Sequence, residues 1–125
     1  MTIPEPTPDM TPRSASANAE PSAALTVRTL VDVDLRAFHT DPHLDEGRHE
    51  HVWNVQAVFD GSKFADARAL RLALANLLSV YQGQDLPAEL WSGEALAQMV
   101  VNVLGTGDPI GCVVRRPGFH AEAWL

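Results

Sequence analysis

The sequence predicts an α+β fold, in which two helices cover one face of an antiparallel β-sheet. Two stretches in the first half of the chain alternate apolar and polar residues with a period of two, which is typical of half-buried strands. Two later stretches carry apolar residues at helical spacing, and two short strand-like stretches close the chain. The predicted element order is therefore β-β-α-α-β-β, and a length of 125 residues fits one folded domain.

The first predicted strand runs from Leu25 to His39. Every second residue along it belongs to one mainly apolar face: Val27, Thr29, Val31, Val33, Leu35, Ala37 and His39. The residues between them carry most of the charge of this stretch, so their face is expected to meet solvent. We therefore expect the first face to pack into the core, with His39 at its end.

The second predicted strand follows a loop in which Pro42 and Gly47 favour turns. One face of this strand carries His49, His51, Trp53, Val55, Ala57 and Phe59. If the two strands form a hairpin, His39 and His49 lie near each other at the base of the loop, and His51 lies one step further along the same face.

The helices and the last two strands are predicted from the spacing of apolar residues and from residues that begin or end helices. Residues 66–81 form the first predicted helix, with an apolar stripe of Leu70, Ala73, Leu74, Leu77 and Tyr81 and no internal proline. Ser92 is a good N-cap for the second helix, and Gly105 is a suitable terminator. The buried stripe expected for that helix is Leu96, Met99, Val100, Val103 and Leu104. A third strand is expected at 110–116, and a short fourth strand at 120–125.

Residues 1–24 are expected to be a disordered tail. Five prolines are interleaved there with Ser, Thr, Ala and Glu, and large apolar residues are nearly absent, so the segment cannot bury enough surface to offset the entropy of ordering. The folded domain then spans residues 25–125. A single cysteine, Cys112, excludes a disulfide framework within the chain.

The charge balance narrows the classes of partner. Nine basic and 16 acidic residues give a net charge of -7 and a pI near 5.0. The sequence has no cluster of basic residues that could bind phosphates despite the negative net charge, so no nucleic acid partner is expected. The N-terminus has neither the basic nor the apolar region of a signal peptide, and no segment approaches the roughly 20 apolar residues that span a bilayer. We therefore expect a cytoplasmic protein without membrane attachment.

Four of the five histidines fall in the short stretch from His39 to His51, and this clustering indicates a metal site. On a strand, side chains two residues apart point the same way, so His49 and His51 present two imidazoles side by side. Zinc accepts neutral imidazole, and three protein ligands leave a position open for chemistry. The predicted Zn²⁺ ligands are His39, His49 and His51, and His43 in the intervening loop is the alternative third ligand.

Several stretches of the chain follow, in order, the motifs of one family. The first strand ends Leu-Arg-Ala-Phe-His at 35–39, and the second begins His-Glu-His-Val-Trp-Asn-Val at 49–55. The second helix opens Trp-Ser-Gly-Glu-Ala-Leu-Ala at 91–97. The end of the chain reads Val-Val-Arg-Arg-Pro at 113–117 and Ala-Glu-Ala-Trp at 121–124. In this order they resemble the 6-pyruvoyl-tetrahydropterin synthase and 6-carboxytetrahydropterin synthase family, which has the T-fold architecture.

The resemblance covers residues 26–125 and implies a zinc-dependent lyase that acts on a dihydropterin-type or related small molecule, as 6-carboxytetrahydropterin synthases do in queuosine biosynthesis. It implies that His39, His49 and His51 hold a zinc ion that binds the substrate side chain. It also implies a homo-oligomer with sites at the subunit interfaces.

Other functional positions of the family are changed in this chain. The family has a catalytic cysteine before the histidine pair, and this chain has none at that position. The catalytic Asp-His pair of the family is also missing from the corresponding stretch. Arg115 stands where the family has its pterin-anchoring glutamate. An arginine only donates hydrogen bonds, so a substrate-binding Arg115 would favour an anionic or carbonyl-rich ligand. Glu46, Glu50 and Glu122 are the candidates for proton transfer. The alternative interpretation is a catalytically inactive T-fold protein that binds a ligand or only assembles, with a retained three-histidine metal site.

Overall fold

The computed structural model describes residues 26–41, 43, 47–63 and 66–125. Its strands and helices, in chain order, are β1 (Arg28–Thr40), β2 (Arg48–Asp60), α1 (Ala67–Leu78), α2 (Gly93–Val103), β3 (Gly111–Arg116) and β4 (Phe119–Trp124). Two short 3-10 helices lie between α1 and α2, at Ser79–Tyr81 and Ala88–Leu90. The predicted α+β fold and its element order are confirmed, and the tail predicted at 1–24 lies outside the described residues.

Within the described residues, the four strands form one antiparallel sheet in the order β1-β2-β3-β4. β1 and β2 make a long hairpin, in which all 13 residues of β1 have a partner. Its register pairs His39 with His49 and Ala37 with His51. Because directly opposite residues of an antiparallel pair share a face, the three histidines lie on the same side of the sheet.

Both helices pack on one face of the sheet, which we call the inner face. α1 packs on β1, and α2 packs on β3 and β4. The fully buried side chains of this layer include Leu35, Trp53, Val55, Leu74, Leu78, Leu96, Val100, Cys112 and Val114. The alternation seen in the sequence therefore places one side of each long strand in the core and the other side on the outer face.

The pairing of β2 with β3 decides which residues of β3 reach the inner face. Val55 lies opposite Val114, and Asn54 lies opposite Arg115. Since Val55 and Val114 are inner-face residues, Arg115 belongs to the outer face and Arg116 to the inner face.

Side-chain caps fix the starts of both helices. Asp66 Oδ1 accepts a hydrogen bond from the backbone N–H of Arg68 at 2.9 Å. Ser92 Oγ accepts one from the backbone N–H of Ala95 at 3.1 Å, so the predicted N-cap is confirmed. The first helix is shorter than predicted, because residues 79–81 tighten into a 3-10 turn. Among the described residues, no helix is long and apolar enough to span a membrane.

The free edge of β1 is covered by the segment that follows the first 3-10 turn. The backbone N–H of Phe38 donates a hydrogen bond to the carbonyl of Gln84 at 2.9 Å, and the carbonyl of Phe38 accepts one from the backbone N–H of Leu86 at 2.8 Å. Gly83 donates its backbone N–H to the carbonyl of Arg36 at 2.7 Å. This pairing satisfies edge groups that would otherwise be exposed. It also brings the chain that leads into α2 close to the end of β1.

Replacing Leu74 by alanine is expected to destabilise the protein by about 2–5 kcal/mol, because its side chain is fully buried and its truncation leaves a cavity. Leu72 lies on the same helix with 62% exposure, so Leu72→Ala is the matched control and should cost less than about 0.5 kcal/mol. Urea unfolding followed by circular dichroism measures both variants. Equal losses would contradict the packing of α1 described above.

Candidate metal centre

Three histidine rings meet where the β1–β2 hairpin closes. His39 comes from β1, and His49 and His51 come from β2. The ring centroids lie 4.6 Å apart for His39 and His49, 4.7 Å for His39 and His51, and 4.6 Å for His49 and His51. One ring nitrogen from each residue lies within 4.8 Å of the other two. The three predicted ligands therefore form a cluster that can hold a metal ion.

A backbone carbonyl sets the tautomer of His39. The Nδ1 atom lies 2.6 Å from the carbonyl oxygen of Trp91, the residue that precedes the N-cap of α2. Because a carbonyl oxygen only accepts hydrogen bonds, Nδ1 carries the proton, and Nε2 of the neutral ring keeps its lone pair. With only 6% of its surface exposed, His39 meets little competing water.

His49 is oriented by a second carbonyl. Its Nδ1 donates to the carbonyl oxygen of Gly47 at 3.0 Å, and its Nε2 lies 3.1 Å from Nε2 of His39. When both Nδ1 atoms carry the protons of neutral rings, both Nε2 atoms are acceptors. Two acceptors at this distance are favourable only with a cation between them, which is either a shared proton or a metal ion.

His51 completes the cluster from the next inner-face position of β2. Its Nε2 is buried and has no hydrogen-bond partner among the described residues. Burial first, then the positive charge of Arg116, and then the two other histidines lower the pKa of His51 to about 4. His51 is therefore neutral at neutral pH and offers a lone pair. A buried polar atom without a partner is costly, and a bound metal ion would remove that cost.

The donor set fits zinc. Zinc binds imidazole nitrogen at about 2.0–2.1 Å, so two nitrogens of a tetrahedral site lie about 3.3 Å apart. The observed 3.1 Å between Nε2 of His39 and Nε2 of His49 is close to that value. Hydrogen bonds from the second ring nitrogen to backbone carbonyls are a regular feature of histidine metal ligands. The same three nitrogens also suit divalent iron, nickel and copper.

Aromatic rings form the inner wall of the cluster. The Trp53 ring meets His39 and His51 edge to face, with centroids 5.5 Å apart in both pairs. Phe119 packs against Trp53 at 6.5 Å. The guanidinium of Arg116 lies over both rings, 5.1 Å from each centroid. Sequence reasoning missed Arg116, and the signal that finds it is the pairing of β2 with β3.

Arg115, the expected substrate-binding residue, lies on the outer face of the sheet. It is paired with Asn54 in the ladder, and its guanidinium donates to Oε1 of Gln56 at 3.2 Å. Arg115 is therefore separated from the histidine cluster by the sheet. The inner-face position at this end of β3 belongs to Arg116.

Of the three acids considered for proton transfer, the two that the structure describes do not join the cluster. Glu50 lies on the outer face and pairs with Arg36 at 3.2 Å. Glu122 also lies on the outer face, where a hydrogen bond from Trp124 Nε1 at 2.8 Å holds the pKa of its carboxyl below the usual range. Glu46 lies outside the described residues.

Two further titratable side chains lie apart from the three histidines. His43, the alternative third ligand, meets the ring of Trp91 edge to face at 5.4 Å and is not part of the cluster. Cys112 is buried on the inner face, and burial raises the pKa of its thiol to about 12. Its thiol is therefore protonated and inert as a nucleophile.

A pocket of about 390 Å³ opens beside His39. Phe38 and Trp91 contribute to its lining, together with the ion pair that Arg48 Nε and Asp85 Oδ1 form at 2.5 Å. The Arg48 guanidinium also stacks over the Phe38 ring at 3.8 Å. The volume falls within the range of small-molecule sites. Of the three clustered histidines, His39 lines this pocket, and His49 and His51 do not.

No model of a known protein family matches this chain, and a search of curated proteins finds no match either. The likeness to the pterin synthases therefore rests on the motifs of the sequence and on the order of the elements. The three-histidine cluster stands on its own geometry and does not depend on that likeness.

Alanine at His39, His49 or His51 is expected to weaken zinc binding at least about 100-fold, because a lost ligand costs more than the 10–100-fold typical of outer-shell changes. His120→Ala changes an exposed histidine of β4 and is the matched control, and His43→Ala should behave like it. Competition with a chromophoric chelator measures the affinities. A His51→Ala protein that binds zinc as tightly as His120→Ala would contradict the assigned ligand set.

Gly47→Ala is expected to weaken zinc binding about 10-fold. Gly47 has a φ of 74°, a left-handed conformation that strains any other residue, and its carbonyl orients His49. Gly83→Ala is the control, since Gly83 has a φ of 72° and an added Cβ meets nothing within 4 Å at either glycine. The same chelator competition applies. If Gly47→Ala and Gly83→Ala bind zinc with equal affinity, the Gly47 carbonyl has no role in zinc binding.

Proposed function

We propose that this chain is a zinc-dependent lyase of the 6-pyruvoyl-tetrahydropterin and 6-carboxytetrahydropterin synthase type, acting on a dihydropterin-type or related small molecule. The observation that carries the proposal is the convergence of His39, His49 and His51. Each of them stands at the strand position where the family that the sequence resembles has a zinc ligand. The α+β arrangement and the order of its elements support the same proposal.

The residues around the cluster suit a catalytic rather than a closed structural centre. Three protein ligands leave a position for substrate, and a structural zinc site would normally have four. When bound, zinc supplies a Lewis acid that polarises a carbonyl or hydroxyl oxygen of the substrate. The carbonyls of Trp91 and Gly47 hold His39 and His49 in the tautomer that offers Nε2.

The surroundings of His39 support a small-molecule substrate. The adjoining pocket of about 390 Å³ combines aromatic side chains with one ion pair, which is the usual composition of a site for a small ligand. The Trp53 ring packs edge to face against His39 and His51, and His39 is only 6% exposed, so little water reaches the His39 ring. A dry environment strengthens the electrostatic effect of any bound cation on a substrate oxygen.

We also propose that the working protein is a homo-oligomer with sites at the subunit interfaces. Among the described residues, Glu50 and Glu122 lie on the outer face and cannot reach the histidines of their own subunit. A second copy is the source that we propose for a proton-transfer group. The lyase proposal therefore requires that the outer face or an edge of one sheet lies close to the metal centre of another.

Purified protein is expected to hold about one zinc ion per chain and to convert 7,8-dihydroneopterin triphosphate faster than metal-free protein does. Turnover should disappear after chelation and return with zinc, because the metal polarises the substrate. His49→Ala should lower turnover at least about 100-fold, in line with its loss of metal, whereas His120→Ala should retain it. Metal analysis and mass spectrometry of the products measure both effects.

A second candidate is a catalytically inactive T-fold protein that uses its metal centre to bind a ligand or to assemble. The observation that favours it is the lack, among the described residues, of a reactive thiol or an acid at the cluster. Cys112 is held protonated, and Glu50 and Glu122 face away. Stoichiometric zinc without turnover would support this candidate over the lyase. Protein without zinc would contradict both.

A further inference from the structure

Arg116 is held between two aromatic rings beside the metal centre. Its guanidinium carbon lies 5.1 Å from the centroid of Trp53 and 5.1 Å from that of Phe119. Two rings on one guanidinium restrict its orientation and stabilise its charge by cation–π attraction. The side chain is therefore fixed in place before any ligand arrives.

The charge of Arg116 has no anionic partner within the described part of the chain. Its Nε is buried without a hydrogen-bond partner there, and no carboxylate of those residues forms an ion pair with it. Arg36 and Arg48, which are more exposed, are each paired with a carboxylate. A partly buried cation without a counter-charge is costly, and sites that accept this cost commonly bind an anion.

The position of Arg116 relates it directly to the three histidines. It follows Arg115 onto the inner face, at the point of the ladder where β3 lies beside Trp53. The same Trp53 ring contacts His39 and His51 at 5.5 Å. The unpaired guanidinium and two of the three histidines therefore contact the same aromatic ring and lie on the same face of the sheet.

We propose that Arg116 binds an oxyanion of the ligand, a carboxylate or a phosphate group, next to the metal held by His39, His49 and His51. The planar guanidinium can present two parallel N–H groups to such an oxyanion. A metal ion held by three histidines would leave a position for another donor atom of the same ligand. This assignment rests on the metal centre of the proposed function and names the class of ligand that the centre selects. It adds Arg116, on the inner face, to Arg115 as a candidate ligand-binding arginine.

The test uses full-length protein loaded with Co²⁺, whose visible absorption reports changes in coordination. Acetate and inorganic phosphate are titrated as oxyanions, and neutral imidazole is titrated as a ligand that needs only the metal. Arg116→Met is expected to weaken acetate or phosphate binding by about 10- to 100-fold, because a charge-assisted hydrogen bond is lost. Its imidazole affinity should stay within about threefold. The tighter of the two oxyanions identifies the carboxylate or the phosphate as the natural group.

Two further variants keep the test decisive. Arg116→Lys retains the charge but not the planar fork, so it should bind oxyanions about 3- to 10-fold more weakly than the wild type, even if the methionine variant does not fold. Arg68→Met removes an arginine of α1 whose side chain is 96% exposed, and it should leave oxyanion affinity unchanged. Arg115→Met changes the neighbouring arginine on the outer face and should lower oxyanion affinity less than Arg116→Met does. Unchanged oxyanion binding in both Arg116 variants, or a loss confined to Arg115→Met, overturns the inference.

The outcomes also separate this inference from the function on which it rests. If the wild-type protein takes up no cobalt, the proposed metal centre is wrong, and so is the proposed oxyanion site that depends on it. Normal cobalt uptake and imidazole binding, with oxyanion affinities independent of Arg116, overturn only the role of Arg116. Cobalt uptake with Arg116-dependent oxyanion binding supports both.

Discussion

The register of the β1–β2 hairpin is the constraint on which the rest of the structure depends. It places His39 opposite His49 and Ala37 opposite His51. Since side chains alternate along a strand, a slip of one residue would turn the histidines of one strand to the outer face. The same slip would expose Leu35 or Trp53, both of which are fully buried. The hydrophobic core and the metal centre therefore specify the same register, and neither can be changed without the other.

The N-terminus of α2 links that hairpin to the helical layer. Ser92 caps the helix with its side chain, and the carbonyl of the preceding Trp91 accepts a hydrogen bond from His39. Packing of α2 on β3 and β4 thus determines where this carbonyl lies, and the carbonyl determines which nitrogen of His39 faces the cluster. A metal ion bound to this arrangement would add its binding free energy to the stability of the whole domain. The packing of α2 and the orientation of His39 are therefore coupled through one backbone oxygen.

The strands and helices could be predicted from sequence because each follows a local pattern. Alternation with period two identified β1 and β2 together with their buried faces, and it placed the three histidines in register. Long-range pairing has no such local signal. The segment that covers the edge of β1 joins it through hydrogen bonds of Phe38 to Gln84 and Leu86, which no spacing rule anticipates. The carbonyl partner of His39 is equally remote in sequence.

The faces occupied by the two arginines of β3 could not be predicted from the sequence. Arg115 and Arg116 are adjacent, and the face that each occupies depends on the pairing of β3 with β2 across a connection that contains both helices. A motif can be aligned one residue too early or too late without any sign of this in the sequence. Such a shift assigns a side chain to the wrong face of the sheet. The structure places Arg115 on the outer face beside Gln56 and Arg116 beside Trp53. Strand register therefore decides which of the two arginines shares a face with the histidines.

We propose that three imidazoles, and no other protein group, hold the metal ion. X-ray absorption spectroscopy at the zinc edge of the zinc-loaded protein identifies these ligands. We expect a first shell of nitrogen and oxygen at about 2.0–2.1 Å, with the outer-ring scattering of three imidazoles and one further light atom. A first shell that contains sulfur at about 2.3 Å, or one with fewer than three imidazoles, would contradict the account.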